Sequence, residues 1–179
     1  MLAVCVGTGT EIGKTWVGAA VLSSLHSRGV FVAARKPVQS FDTTDAAPTD
    51  ADVLAHATGE HPNYVCPEHR SYAAALAPPM AAAVLVRPEF TVAQLVTELR
   101  WPSPRPTVRW VETVGGVRSP IAFDGDSADL CAALDPDLVA SSPTPASARS
   151  TPCACQRLRS RRFRSLCTST TGTARSSTS

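Results

Sequence analysis

Residues 2–15 read LAVCVGTGTEIGKT, and this stretch decides the fold. It begins with a continuous apolar run, residues 2–6, of the kind found in a parallel strand buried on both faces. The glycine-rich residues 7–13 follow at once, and Lys14 and Thr15 then lead into a segment with helical spacing. The order of strand, glycine loop and helix predicts the start of an α/β domain.

The segment after the loop predicts a helix over residues 15–26, with Gly29 as its C-cap candidate. Its apolar residues recur at spacings of three and four. The predicted apolar face consists of Val17, Ala20, Val21, Leu22 and Leu25. A second apolar run, residues 30–34, predicts the next buried strand. Together these elements predict a mostly parallel sheet with flanking helices.

The glycine loop has the chemistry of a phosphate-binding site. Backbone N–H groups of such a turn, with the N-terminus of the following helix, form a nest for phosphate oxygens. Lys14 would reach the β- and γ-phosphates, and the Thr15 hydroxyl would bind Mg²⁺. The common pattern G-x-x-x-x-G-K-[ST] requires glycine where this chain has Thr8, with Gly7 one place earlier. The alternative is a glycine turn that only links a strand to a helix.

The chain has only two lysines, Lys14 and Lys36. Lysine presents a compact point charge to phosphate where arginine presents a broad fork. Lys36 opens the stretch KPVQS, residues 36–40. We expect both ammonium groups to serve phosphate chemistry. The alternative for Lys36 is a lysine at a strand end that only reaches toward solvent.

Carboxylates at two further places could complete a metal site. Asp50 and Asp52 lie where a helix is predicted to begin, and one of them or Thr49 could instead cap that helix. Residues 107–111 predict a third strand, and Glu112 follows at its carboxyl end, the edge where parallel sheets bind ligands. An exposed loop glutamate is the alternative for Glu112.

Charge divides the chain after Val139. Residues 1–139 carry ten Lys or Arg and all fifteen Asp and Glu, whereas residues 140–179 carry seven Arg and no acid. The acidic body does not favour nucleic-acid binding. No membrane span or signal peptide is predicted, and the six cysteines fit a reducing cytoplasm. The pair Cys153 and Cys155 could bind zinc but has no partners at zinc spacing.

Four ordered motifs resemble those of the dethiobiotin synthetase family. Residues 7–15 are similar to its GTxTxxGKT loop, and residues 36–40 to its KPVxS/T strand end. Residues 49–51 resemble its S/T-D-A metal segment, and residues 111–116 its VEGAGG loop. The resemblance explains the displaced first glycine and extends through about residue 139. It implies a P-loop NTPase-like α/β fold.

The resemblance implies ATP- and Mg²⁺-dependent synthesis of dethiobiotin from diaminopelargonic acid (7,8-diaminononanoate) and CO₂, as a step of biotin synthesis in a homodimer. The carbamate of the diamine would be phosphorylated by ATP, and the second amine would then close the ureido ring. The implied site residues are Lys14 and Lys36 for catalysis, Thr15, Asp50 and Glu112 for Mg²⁺, and Ser40 for substrate, with Asp52 as the alternative to Asp50. The implied ATP-binding residues are Gly9, Thr10, Glu11, Ile12, Gly13, Lys14, Thr15, Trp16, Asp50 and Glu112.

Thr113 and Val114 replace the small Gly-Ala pair of the family motif. β-branched residues disfavour positive φ and take up more space than glycine or alanine beside a ligand. We therefore expect these two residues to strain or crowd the loop that faces the ligand.

Residues 140–179 contain ten Ser, seven Thr and seven Arg, with no Ile, Val or Tyr. This composition predicts a disordered tail. GC-rich reverse translation of residues 140–155, read from the last base of each codon into the next, can give LVADAGLGTINAVRL. That reads as a strand, a glycine loop and a helix start, and it resembles the family's next segment. We hypothesise a frameshift near residue 140, which would leave the fold incomplete in its C-terminal half.

Two other functions fit parts of the sequence. One is a related P-loop ATPase that acts as a switch or binds a partner, although a switch needs no substrate ammonium at Lys36. The other is a non-catalytic protein whose basic tail binds nucleic acid or anionic surfaces.

Overall fold

The computed structural model of the protein describes residues 1–9 and 12–142. The strands are, in chain order, β1 (Leu2–Gly7), β2 (Val32–Arg35), β3 (Gln39–Ser40), β4 (Ser71–Tyr72), β5 (Val108–Glu112), β6 (Pro120–Ala122), β7 (Gly125–Asp126) and β8 (Leu138–Ser142). The helices are α1 (Lys14–His26), α2 (Asp50–Thr58), α3 (Pro62–Val65), α4 (Pro78–Val84), α5 (Val92–Glu98) and α6 (Ser127–Leu134), and Glu68–Arg70 form a 3₁₀ turn.

A four-stranded parallel sheet in the order β2-β5-β1-β8 forms the centre of the described part of the chain. β5 lies between β1 and β2, so the first two long strands are not neighbours. Every residue of β1 and β2 is buried, which is why their apolar runs show no polar alternation. The prediction of a P-loop NTPase-like fold, a mostly parallel sheet with flanking helices, is confirmed.

The predicted boundaries shift by one or two residues, as is common at element ends. α1 begins at Lys14 and ends at the predicted residue, His26. Its C-cap is Ser27; Gly29, the predicted cap, lies two residues later in a turn with φ of 75°. The second strand covers Val32–Arg35 instead of 30–34, and the third covers Val108–Glu112, so the glutamate belongs to the strand itself.

The predicted apolar face of α1 is wrong in part. Ala20 and Val21 are exposed, whereas the buried residues of the helix are Lys14, Gly18 and Leu22. The reason is a close approach to β5: a Cβ added at Gly18 would lie 3.0 Å from the Nε1 atom of Trp110. The helix therefore turns its smallest residue toward the sheet.

The side chains of β1 alternate between two apolar layers. Ala3 and Cys5 join a cluster that contains Leu22 of α1 and Leu54 of α2. Val4 and its alternate neighbours point to the opposite face, where Cys131 of α6 packs. A further cluster lies between α4, α5, α6 and β6, around Val38, Tyr72, Phe90, Leu95, Ile121 and Leu130. These layers fix the strand ends from which the candidate site is built.

β8 covers Leu138–Ser142 and pairs with β1, so the predicted boundary after Val139 falls inside a strand. The predictions for residues 143–179, including Cys153 and Cys155, lie outside the described residues, as do those for Thr10 and Glu11. Within the part of the chain that the structure describes, no helix is long and apolar enough to cross a membrane.

Candidate active site

Three adjacent strands of the sheet end at one edge and deliver most of the candidate residues there. Lys36 directly follows β2, Glu112 is the last residue of β5, and the glycine loop follows β1. The order β2-β5-β1 places these carboxyl ends side by side. Ligands of open parallel sheets bind at this edge. The first residue of α2, Asp50, completes the group from a fourth segment.

Lys36 pairs with two carboxylates. Its Nζ atom lies 2.8 Å from Glu112 Oε1 and 2.6 Å from Asp50 Oδ2. Glu112 is fully buried and Lys36 is 2% exposed, whereas Asp50 reaches toward solvent. Burial alone would lower the pKa of Lys36, but the charges of Glu112 and Asp50 outweigh it and hold the pKa above its usual range. Lys36 is therefore a buried, permanently charged ammonium.

The same lysine acts on the pKa of Asp50. Burial would raise the pKa of this carboxyl, but the charge of Lys36 and hydrogen bonds from Lys36 and Thr15 hold it below its usual range. Asp50 is thus an ionised carboxylate near neutral pH.

The Thr15 hydroxyl lies between the two carboxylates, 2.7 Å from Asp50 Oδ1 and 2.7 Å from Glu112 Oε1. A hydroxyl has one proton and can donate to only one of them. The Lys36 ammonium contacts both carboxylates and offsets the repulsion between the hydroxyl oxygen and the carboxylate oxygen that receives no proton. The other carboxylate oxygen of the glutamate, Glu112 Oε2, is buried and has no hydrogen-bond partner among the described residues.

These donors fit Mg²⁺. This ion binds through one or two carboxylates and keeps its other positions for water and phosphate oxygens, and the Thr15, Asp50 and Glu112 oxygens supply such a set. Among residues 1–9 and 12–142 no group of three or more His, Cys, Asp or Glu offers an all-protein metal cage.

Lys14 links the glycine loop to the loop after β5. Its ammonium donates to the carbonyls of Gly9, at 2.8 Å, and Gly115, at 2.9 Å. An ammonium has three N–H groups, so these two contacts leave one for a phosphate oxygen. Burial, and then the charge of Lys36, lower the pKa of Lys14, and an anion beside it would offset both effects.

The displaced glycine of the loop has a steric reason. A Cβ added at Gly7 would lie 2.8 Å from Lys14 Nζ and 2.7 Å from Ile12 Cδ1. Any larger residue would push the lysine out of its position. Gly13, the N-cap of α1, has φ of 80°, and among residues 1–9 and 12–142 no side chain caps this helix. The first N–H groups of α1 are thus available to a ligand.

Thr113 and Val114 do not strain the backbone as expected. Among the described residues, the non-glycine positions with positive φ are Val86 and Asp135, and the left-handed position of this loop is Gly115, with φ of 61°. Val114 packs against the apolar cluster around Phe90. Thr113 is fully buried, and its Oγ1 has no hydrogen-bond partner among the described residues.

Three other sequence-selected residues lie apart from the charged cluster. Ser40 Oγ donates to the Leu76 carbonyl at 2.5 Å. Trp16, in the first turn of α1, is 75% exposed. Asp52 accepts from the backbone N–H and the hydroxyl of Thr49 in a capping box. Its capping role separates it from Asp50, which faces Thr15 and Lys36.

The Gly115 carbonyl was missed by sequence reasoning, because a backbone acceptor leaves no signal in residue type.

The fold and this group of residues define an α/β protein of the P-loop NTPase class. The family model described as "AAA domain" matches residues 3–163, and the chain belongs to this family. The match extends past Val139, the boundary drawn from composition.

Two curated relatives show a more specific similarity within this class of protein. The chain is 38% identical over 133 residues to the ATP-dependent dethiobiotin synthetase BioD of Caulobacter sp. (strain K31), covering 72% of this chain and 56% of that protein. It is 35% identical over 133 residues to the same enzyme of Corynebacterium efficiens, covering 74% of this chain and 58% of that protein. The chain thus contains a dethiobiotin synthetase-like segment and spans somewhat over half the length of these relatives.

Proposed function

We propose that this site binds ATP with Mg²⁺ and serves ATP-dependent synthesis of dethiobiotin from diaminopelargonic acid and CO₂. The observation that carries the proposal is the meeting of two buried lysines, a hydroxyl and two carboxylates at one sheet edge. A phosphate-binding loop alone would suit many ATPases. The second buried ammonium, Lys36, distinguishes a site that must also hold an anionic substrate.

The glycine loop and Lys14 bind the phosphates in this proposal. N–H groups at the start of α1 and the ammonium of Lys14 attract phosphate oxygens. Thr15, Asp50 and Glu112 hold Mg²⁺, which neutralises charge on the β- and γ-phosphates when it is bound.

Lys36 serves the reacting groups. A carbamate oxygen attacks the γ-phosphorus, the bond from that phosphorus to the bridging oxygen of ADP breaks, and a carbamic-phosphoric anhydride forms. The second amine then attacks the carbonyl carbon, phosphate leaves, and the ureido ring closes with loss of a proton from the amine. Both steps concentrate negative charge beside the phosphoryl group, and a buried ammonium stabilises that charge in a site with little water.

Ser40 is proposed to contact the carbamate or the diamine. It lies four residues after Lys36, and its hydroxyl donates to the Leu76 carbonyl. A hydroxyl can turn from that carbonyl to a substrate oxygen or amine. A homodimer, which the family resemblance implies, and a cytoplasmic location belong to the same proposal.

The proposal is tested by product formation in a chain whose reading frame is restored after residue 140. Dethiobiotin and ADP should form in equal amounts only when diamine, bicarbonate, ATP and Mg²⁺ are all present. Lys36→Ala should lower kcat strongly and leave ATP affinity within about threefold, because stabilisation confined to the transition state is read out in kcat. ATP hydrolysis that ignores the diamine, or a variant with unchanged turnover, would refute the assignment.

A further inference from the structure

Gln39 is a buried polar residue with both ends of its amide in use. It is 6% exposed. Its Oε1 atom accepts from the backbone N–H of Ala51 at 3.0 Å, and its Nε2 atom donates to Ser71 Oγ at 2.8 Å. The side chain thus connects β3 with β4 and with the first turn of α2.

The contact with Ala51 satisfies part of the start of α2. The first N–H groups of a helix have no partner within the helix. The hydroxyl of Thr49, the N-cap, accepts from the N–H of Asp52 and leaves the N–H of Ala51 to another acceptor. The N–H of Ala51 is served by Gln39, from a different element. This contact fixes the position of the helix start relative to β3.

Asp50 is the residue directly before Ala51, so its carboxylate depends on that position. Its two oxygens lie 2.7 Å from Thr15 Oγ1 and 2.6 Å from Lys36 Nζ. Lys36 itself lies three residues before Gln39. The segment 36–40 therefore holds the first turn of α2 through two contacts, one to a side chain and one to the backbone.

The two contacts differ in what happens when ligands arrive. The ammonium of Lys36 must contact the reacting groups, so its ion pair with Asp50 weakens during the reaction proposed above. The hydrogen bond from Ala51 to Gln39 involves no group that the reaction uses. It can keep the helix start in place while the ammonium changes partners.

We propose that Gln39 is a positioning residue that holds Asp50 in place for the Mg²⁺ that accompanies ATP. This inference rests on the proposed function, because it assumes that Asp50 serves that cation. Residues that orient metal ligands through a hydrogen bond typically change metal affinity by 10–100-fold when they are removed.

The test measures ATP affinity by calorimetry in the 179-residue chain, once with Mg²⁺ and once with EDTA. The ratio of the two dissociation constants gives the gain that Mg²⁺ provides, and Mn²⁺ binding followed by electron paramagnetic resonance provides a second readout. Gln39→Met keeps the shape and loses both hydrogen bonds, whereas Gln39→Glu keeps an acceptor for Ala51, and the Ser71 hydroxyl can turn to donate to it. Gln94→Met is the matched control, since Gln94 belongs to the capping box of α5.

Gln39→Met should reduce the Mg²⁺-dependent gain and the Mn²⁺ affinity by about tenfold or more, with ATP affinity in EDTA unchanged. Gln94→Met should stay close to the parent chain in both readouts, and Gln39→Glu, which keeps an acceptor for Ala51, should retain more of the gain than Gln39→Met. If Gln39→Met does not fold, Ser71→Ala decides, because it removes the acceptor that orients the Gln39 amide and should shift both readouts in the same direction.

A parent-like gain in Gln39→Met, or in Ser71→Ala where that variant decides, would overturn the inference and leave the proposed function intact. An equal loss in Gln94→Met would also overturn it, because general destabilisation would then explain the effect. A parent chain without any Mg²⁺-dependent gain would overturn the premise that Asp50 serves the cation, and this inference with it, whereas the proposed function is decided separately by product formation in the frame-restored chain.

Discussion

The ammonium of Lys36 lies 2.8 Å from Glu112 Oε1, and both side chains are almost completely buried. Each ion loses hydration on folding, and the charge of its partner at short range compensates for that loss. Such a pair adds little net stability compared with two apolar residues, yet removing one partner leaves a buried charge without compensation. The site is therefore built from groups that depend on one another.

The first prediction concerns this dependence. Lys36→Met should lower the free energy of unfolding by about 3–5 kcal/mol, because it leaves the buried Glu112 without its cation. Glu112→Gln should cost less, since Asp50 still faces Lys36 at 2.6 Å, and the double variant should lose less than the sum. Urea unfolding of the four proteins without Mg²⁺ or nucleotide gives the coupling energy. The control is Arg118→Met, which breaks the ion pair with Asp126 at the surface, where Arg118 is 82% exposed. It should cost about 0–1 kcal/mol. Additive losses would contradict the coupling.

A second prediction follows from the raised pKa of Lys36. Because the folded-state pKa lies above the ordinary value of 10.5, folding takes up a proton between the two values. The stabilising contribution of Lys36 is complete below pH 10.5 and declines as the pH rises toward the folded-state pKa. The stability difference between the parent chain and Lys36→Met should therefore be constant at neutral pH and shrink in strong alkali. If the stability difference already shrinks before the rising pH reaches 9, the lysine titrates at a lower pH than expected, and the prediction is wrong.

The third prediction tests the contact between α1 and β5. Gly18→Val should destabilise the chain by about 1–3 kcal/mol, the usual cost of overpacking, because Trp110 is 5% exposed and has little room to move. Ala20→Val is the matched control on the exposed side of the same helix, and it should cost about 0.7 kcal/mol or less, the range of ordinary helix propensities. Thermal unfolding separates the two. Equal losses would mean that the helix does not approach the sheet at Gly18.

The fourth prediction concerns residues 140–179. We expect the coding DNA to contain, one frame away, a continuation with a strand, a glycine loop and a helix start. The unaltered chain should form negligible dethiobiotin and tend to aggregate, and restoring the frame near codon 140 should recover a soluble, active protein. Efficient synthesis by the unaltered chain, or DNA without such a continuation, would refute the frameshift hypothesis.

Parts of this site could be predicted because residue type and position carried the information. Lys14, Lys36 and Glu112 lie next to buried apolar runs, and the carboxyl ends of parallel strands must share an edge. Asp50 and Asp52 could not be separated, since both lie in the first turn of the same helix, and only the capping box shows that Asp52 is already engaged.

The errors have steric causes. Amphipathic spacing predicts that Ala20 and Val21 face the sheet. Gly18 faces it instead, because α1 lies close to the large indole of Trp110. The concern about Thr113 and Val114 assumed a positive φ at these residues, whereas that conformation occurs at Gly115. Backbone conformation in a loop depends on the packing of both flanking elements, which a single sequence does not reveal.

The glycine loop and Lys14 are proposed above to bind the phosphates of ATP. Calorimetric titration of ATP with Mg²⁺ into the parent chain, Lys14→Ala and Arg28→Ala tests this proposal most directly, because Arg28 is an exposed cation at the far end of α1. We expect saturable binding by the parent chain and by Arg28→Ala. The dissociation constant of Lys14→Ala should rise by about tenfold or more, as expected for a lost charge-assisted contact of about 1.5–3 kcal/mol. Equal affinity of the parent chain and Lys14→Ala would contradict it.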